Sequence, residues 1–181
     1  GIYPDVKQFR MEPDVLESFI RQKIEDHRVD TVHFTWQGGE PTLLGLEYFF
    51  EVVRLQKKYA GGRRIENGFQ TNGVLINDAW CKFLKENNFL VGLSIDGPDE
   101  IHNTYRVDRG GKGSFDQIMR ALELLKTHDV DYNTLTVVNA GNQHHADEIY
   151  DFLKSIGSTF WQFIPIVERL ENGSLAAPDD S

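Results

Sequence analysis

Apolar and polar positions along this chain switch repeatedly between a period near 3.6 and runs too short for a helix. Over residues 11–27 the apolar side chains Val15, Leu16, Phe19, Ile20 and Ile24 recur at helical spacing. Residues 31–36 are short, β-branched and aromatic, which predicts a strand. Residues 46–59 return to the helical period through Phe49, Val52, Val53, Leu55 and Gln56, and residues 65–71 read as a strand ended by Asn72-Gly73. Asp78 is the expected cap of a helix running towards Asn87. Residues 89–95 form a nearly continuous apolar run, as expected of a strand buried on both faces. The second half repeats the scheme. A loop, Gly110-Gly111-Lys112-Gly113, leads to Ser114, the expected cap of a helix carrying Ile118, Ala121, Leu122 and Leu125. A strand over 132–138, a helix over 145–156 and a strand over 159–166 follow.

The order is therefore one helix, four βα units and a last strand. Such alternation implies an α/β fold, a parallel sheet with right-handed crossovers. Five strands fit either a partial (β/α) barrel or a doubly wound sheet. A helix normally follows a strand in these folds, so the initial helix predicts a further strand upstream of Gly1. Residues 1–170 are expected to form one domain. Residues 171–181 are small, polar and contain Pro178, as in a mobile tail or linker.

Composition narrows the classes. The chain has 181 residues, 40% hydrophobic and 26% charged, which suits one globular domain. No apolar run approaches the roughly 20 residues that cross a bilayer, and the first residues lack the basic and apolar regions of a signal peptide. No membrane partner and a cytoplasmic location are expected. The net charge of -9 argues against nucleic acid, whose partners carry a basic face. Arg63-Arg64 reads as a solvated loop. The single cysteine, Cys81, excludes an internal disulfide and fits a reducing compartment. On a helical pattern it reads as a small buried hydrophobe.

Ligands of parallel α/β folds sit at the C-terminal ends of the strands. Those ends here are rich in polar and chain-turning residues: Gln37-Gly38-Gly39-Glu40-Pro41, Gln70-Thr71-Asn72-Gly73, Ser94-Ile95-Asp96-Gly97-Pro98, Val138-Asn139 and Ile164-Pro165. Two glycines let a backbone approach a ligand closely, and a Glu carboxylate with nearby carbonyls can accept bonds from an ammonium group. The same segment also suits a tight βα turn. Gln70 and Asn72 share one strand face, as do Ser94 and Asp96. Each pair can line a barrel interior or hydrogen-bond loops at the strand ends. No metal site is expected: His144-His145 beside Asp147 and Glu148 reads as a helix N-terminal cluster in water, and His33 as a packed core residue. Neither GxSxG, a P-loop nor a dinucleotide GxGxxG is present.

Four stretches carry a resemblance over nearly the whole chain. They are Val32-His33-Phe34-Thr35-Trp36-Gln37-Gly38-Gly39-Glu40-Pro41-Thr42-Leu43-Leu44-Gly45-Leu46, the segment from Arg64 to Gly73, Val91-Gly92-Leu93-Ser94-Ile95-Asp96-Gly97-Pro98, and Phe163-Ile164-Pro165-Ile166-Val167-Glu168-Arg169. Together they resemble the anaerobic sulfatase-maturating enzymes of the radical S-adenosylmethionine superfamily. The resemblance implies a partial barrel of parallel strands with its first strand missing. Gly38, Gly39 and Glu40 would hold the methionine ammonium, Ser94 the ribose or carboxylate, and Arg106 the methionine carboxylate. Val167 would give the adenine an apolar wall. Gln37 would face the reactive centre, with Gln70, Asn72 and Asp96 on the substrate side.

The implied cofactors are S-adenosylmethionine and a 4Fe-4S cluster. The implied partners are a sulfatase peptide and an electron donor such as flavodoxin or ferredoxin. The implied reaction oxidises a Cys or Ser of a sulfatase to formylglycine. The family's CxxxCxxC cluster loop is absent from this chain, so the chain itself is expected to be inactive. Two other readings stand beside this one: a related radical enzyme that modifies another peptide, and a non-catalytic barrel that binds a nucleotide or peptide.

Overall fold

The computed structural model describes residues 10–108 and 110–167. They form a five-stranded parallel sheet in the order β1-β2-β3-β4-β5, curled into a half-barrel. The strands are β1 (Thr31–Trp36), β2 (Arg64–Thr71), β3 (Phe89–Ser94), β4 (Tyr132–Val138) and β5 (Trp161–Pro165). The helices are α1 (Pro13–Glu25), α2 (Leu46–Tyr59), α3 (Asp78–Glu86), α4 (Asp99–Tyr105), α5 (Phe115–Thr127) and α6 (Ala146–Ser155), with a 3-10 turn at Pro41–Leu44. Each strand pairs with its neighbour in the chain. The partial barrel is the arrangement found, and the doubly wound alternative is excluded.

Strand periodicity decides which side each residue serves. In β1, Val32, Phe34 and Trp36 are buried while His33 and Thr35 are exposed. The buried set meets the helices. Leu16, Ile20 and Ile24 of α1, spaced four apart, join Tyr48, Phe49, Val52 and Leu55 of α2 in the same core. Phe49 stands at its centre, edge-on to Trp36, Phe69 and Trp80 with ring centroids 5.1–5.7 Å apart. Burying one such ring stabilises by roughly 2–3 kcal/mol, and these pairs add about 0.5–1.5 kcal/mol each.

A polar staple sits inside this apolar layer. Asn67 Oδ1 accepts from Trp36 Nε1 at 2.9 Å and from Gln56 Nε2 at 2.8 Å, and Asn67 Nδ2 donates to Gln56 Oε1 at 3.0 Å. It joins β1, β2 and α2. Gln56, placed by the sequence on the apolar face of its helix, is buried because Asn67 satisfies it.

Several local expectations change. His33 is not a core residue: its side chain is 66% exposed on the concave face and pairs with Glu66 at 3.1 Å. Among the described residues no helix covers that face, and there β3 is only partly buried: Leu90 is 49% exposed and Ser94 half-buried, with Gly92 buried between them. Asn77 rather than Asp78 caps α3, accepting from the Trp80 amide at 3.0 Å. Ser114 precedes α5 without a side-chain cap bond, its hydroxyl being used elsewhere. Arg64 lies within β2, not in a loop, and bridges Glu66 at 3.0 Å. The short helix α4 and the 3-10 turn are too brief for periodicity to reveal. The expected tail at 171–181 lies outside the described residues.

Candidate functional site

The β1 end turns on two glycines. Gly38 and Gly39 have φ of +98° and +56°, a region that L side chains seldom adopt. A Cβ at either position would meet no atom within 4 Å, so both face open space. Glu40 follows and organises the turn. Its Oε1 accepts from the Thr42 amide at 3.0 Å, the Thr42 hydroxyl at 2.6 Å and the Thr71 hydroxyl at 2.8 Å. Its Oε2 accepts from the Asn72 amide at 2.8 Å. One carboxylate thus caps the 3-10 turn and ties the end of β1 to the end of β2. Oε2 retains lone-pair capacity for a further donor, whereas Oε1 is saturated.

A second cluster spans the ends of β3 and β4. Arg106 donates from Nε to Asp96 Oδ2 at 2.6 Å and from Nη2 to Asp96 Oδ1 at 3.2 Å. Asp96 Oδ1 also accepts the Val137 amide at 2.9 Å. The two side chains are 25% and 5% exposed. Asp96 therefore does not stand free in the barrel interior; it is bound on one edge of the guanidinium. A planar guanidinium has a second edge, and here Nη1 and the other Nη2 hydrogen remain for another carboxylate. Beyond β4, Asn139 and Asn142 close the turn, with Asn142 Nδ2 donating to the Val137 carbonyl at 2.7 Å.

Gln70 and Ser94 are half-buried on the concave face, and Gln37 is exposed beside the glycines. The side chains of these three residues make no hydrogen bond among the described residues. Gly92 separates Gln70 from Asn133 and Leu135: a Cβ there would come within 2.8 Å of Leu135 and 3.3 Å of Gln70, so the glycine admits both neighbours. Asn72 turns its Oδ1 back to the Val74 amide at 3.0 Å. Val167, just past β5, is 66% exposed; Glu168 and Arg169 lie outside the described residues. A cleft of about 630 Å³ lies at the opposite end of the strands, lined by Leu90, Tyr132 and Phe160, and holds none of the strand-end candidates.

Sequence reasoning missed Thr42 and Thr71 as partners of Glu40. It also missed His102, which is wholly buried under the Asp96–Arg106 pair. Spacing offered only a weak pointer, two hydroxyls bracketing an acidic turn, and none for His102.

The residues fit an amino-acid zwitterion: open glycine backbone and Glu40 Oε2 at one strand end, a free guanidinium edge at another. They do not fit an iron-sulfur cluster. Cys81 is the single thiol, fully buried in α3, and burial pushes it up to about 11. No group of three His, Cys, Asp or Glu side chains among the described residues is arranged to hold a metal. His145 instead pairs with Glu148 at 3.0 Å in solvent, as expected at that helix start.

A half-barrel of parallel strands with a Gly-Gly-Glu turn after one strand defines a class of protein, and the sequence profile of the Radical SAM superfamily matches residues 3–153; the chain belongs to that superfamily. Within it, the chain is 44% identical over 170 residues to the serine-type anaerobic sulfatase-maturating enzyme of Bacteroides thetaiotaomicron, covering 94% of this chain and 41% of that protein. It is 41% identical over 170 residues to the cysteine-type enzyme of Clostridium novyi, covering 93% and 45%. A solved structure described as native anSMEcpe with bound AdoMet and Cp18Cys peptide superimposes with a TM-score of 0.85 at 43% identity, over 88% of this chain and 45% of that one. The chain thus spans less than half the length of these relatives. No helix among the described residues is long and apolar enough to cross a membrane.

Proposed function

We propose that this chain is the cofactor-holding part of a radical S-adenosylmethionine enzyme that matures sulfatases by oxidising a Cys or Ser to formylglycine. The observation that carries the reading is identity above 40% to both serine-type and cysteine-type sulfatase-maturating enzymes along almost the whole chain. When bound beside a 4Fe-4S cluster, S-adenosylmethionine supplies a carbon radical able to take hydrogen from an unactivated carbon. The chain's own residues do the holding. Gly38 and Gly39 present backbone to the methionine end, and Glu40 Oε2 accepts from its ammonium group. The free edge of Arg106 takes the carboxylate as a planar fork. Ser94 bonds the ribose or carboxylate, and Val167 lies against the adenine. Gln37, Gln70 and Asn72 stand on the peptide side, and Asp96 acts through Arg106. The peptide and an electron donor such as flavodoxin or ferredoxin are the partners of the whole protein.

Cluster ligands are not among this chain's residues, so the chain by itself is expected to leave S-adenosylmethionine uncleaved. The test uses the full-length protein, reconstituted without oxygen, with sulfatase peptides carrying Cys or Ser at the target position. Formylglycine detected by mass spectrometry supports the reading. Cofactor cleavage with neither peptide modified, in the presence of a reductant that serves a known relative, refutes the assignment to sulfatases.

A further inference from the structure

His102 lies on α4, wholly buried, against the edge of Phe115 with ring centroids 5.9 Å apart. Its two nitrogens have different tasks. Nδ1 is 3.2 Å from the Asp96 amide and can only accept there, so the ring hydrogen sits on Nε2. Nε2 is 3.1 Å from Ser114 Oγ. Ser114 has one hydroxyl hydrogen and donates it to the Arg106 carbonyl at 3.0 Å, leaving a lone pair for Nε2–H. Every hydrogen in the chain from Asp96 to Arg106 therefore has one direction. The charged groups facing the ring are the Asp96 carboxylate and the Arg106 guanidinium, which act on it in opposite senses. Burial, reinforced by the guanidinium, outweighs the carboxylate and holds the ring neutral, its titration pushed down to about 4.

The imidazole thus holds the backbone of both partners of the strand-end ion pair. Asp96 is held at its amide, Arg106 at its carbonyl through Ser114. Two backbone bonds hold Arg106 beside this relay: its amide donates to the His102 carbonyl at 3.1 Å, and its carbonyl also accepts the Ser114 amide at 3.1 Å. We infer that His102 is a positioning residue: it sets Asp96 against the Nε/Nη2 edge of Arg106 and so turns the opposite edge towards the carboxylate of a bound amino-acid-type ligand. The inference rests on the reading of Arg106 as the carboxylate-binding group.

The test uses the full-length protein, its cluster reconstituted without oxygen, with three variants. His102→Gln keeps a donor near Nε2 but offers no acceptor to the Asp96 amide. Ser114→Ala cuts the link to Arg106, and Ser114→Thr retains the hydroxyl. Two quantities are read: solvent exchange of the Arg106 Nε–H by nitrogen-15 NMR, and binding of S-adenosylmethionine by calorimetry. The loss of one buried hydrogen bond in the relay predicts about tenfold faster exchange and about tenfold weaker binding in His102→Gln and Ser114→Ala. Ser114→Thr should match the parent in both. A purely structural role for His102 would lower the melting temperature while leaving the Nε–H exchange of the folded protein unchanged, and that result overturns the inference. Should His102→Gln not fold, the Ser114 pair decides alone. Should the parent protein, with its cluster in place, fail to bind S-adenosylmethionine, the reading of Arg106 falls, while the exchange measurement still judges the positioning.

Discussion

Replacing Glu40 by Gln tests whether one carboxylate joins the first two strand ends. The native oxygens receive four donors: the Thr42 amide, the Thr42 and Thr71 hydroxyls, and the Asn72 amide. A Gln amide offers one oxygen and one NH₂. With the oxygen in the Oε1 place, the NH₂ group points at the Asn72 N–H. With the amide flipped, the hydroxyls can rotate to accept, but the Thr42 N–H then faces the NH₂ group. Either way one backbone donor loses its partner at about 1–3 kcal/mol, and the surviving bonds lose their charge assistance, for a total of about 2–4 kcal/mol. Urea unfolding followed by circular dichroism should show an unchanged slope and a midpoint lower by about 1–2 M for a slope near 2 kcal/mol/M. A Gln variant within about 0.5 kcal/mol of the parent would refute the bridging role, since surface substitutions fall in that range.

Three further outcomes are expected. Asn67→Ala strands the Trp36 indole N–H and both ends of the Gln56 amide in the core, and should lower stability by about 2–4 kcal/mol in the same urea assay. His102 titrates near 4 when folded against an ordinary 6.5, so the unfolded chain takes its proton first as pH falls. The parent should therefore lose about 3 kcal/mol relative to His102→Gln between pH 6.5 and 4, and no more below; parallel stability curves would contradict this. Cys81 should resist thiol reagents in the native protein and react on unfolding, and a native protein labelled as fast as free cysteine would place the thiol outside the core.

The strands and long helices were legible because each shows one face to a packed layer. The predicted strand at 31–36 and helix at 46–59 match β1 and α2 residue for residue. The concave face was harder. Alternation says that His33 and Leu90 lie opposite the buried set, but it cannot say whether a second layer covers them. The chemistry of the strand ends was legible as residue types and not as partnerships. Glu40 and Arg106 read as free groups awaiting a ligand, yet each is already bound, to Thr42, Thr71 and Asn72 in one case and to Asp96 in the other. Such pairings join residues from 2 to 32 positions apart at no fixed spacing, and periodicity carries no information about them. The same holds for His102, whose significance depends on Ser114 and Asp96 meeting it from two different loops.

The strand order matches the chain order, and this governs how the sheet can be made on the ribosome. Every strand after the first docks on one that was synthesised a few tens of residues earlier. Among the described residues no strand must wait for a partner not yet translated, and no crossover must thread past an existing edge. Emergence from N-terminus to C-terminus is thus also the order of sheet growth, and each added βα unit brings the helix that covers it. The nascent chain meanwhile presents one growing edge at a time. Among the described strands burial is weakest at β5, where no residue is fully buried, so the newest edge is also the loosest.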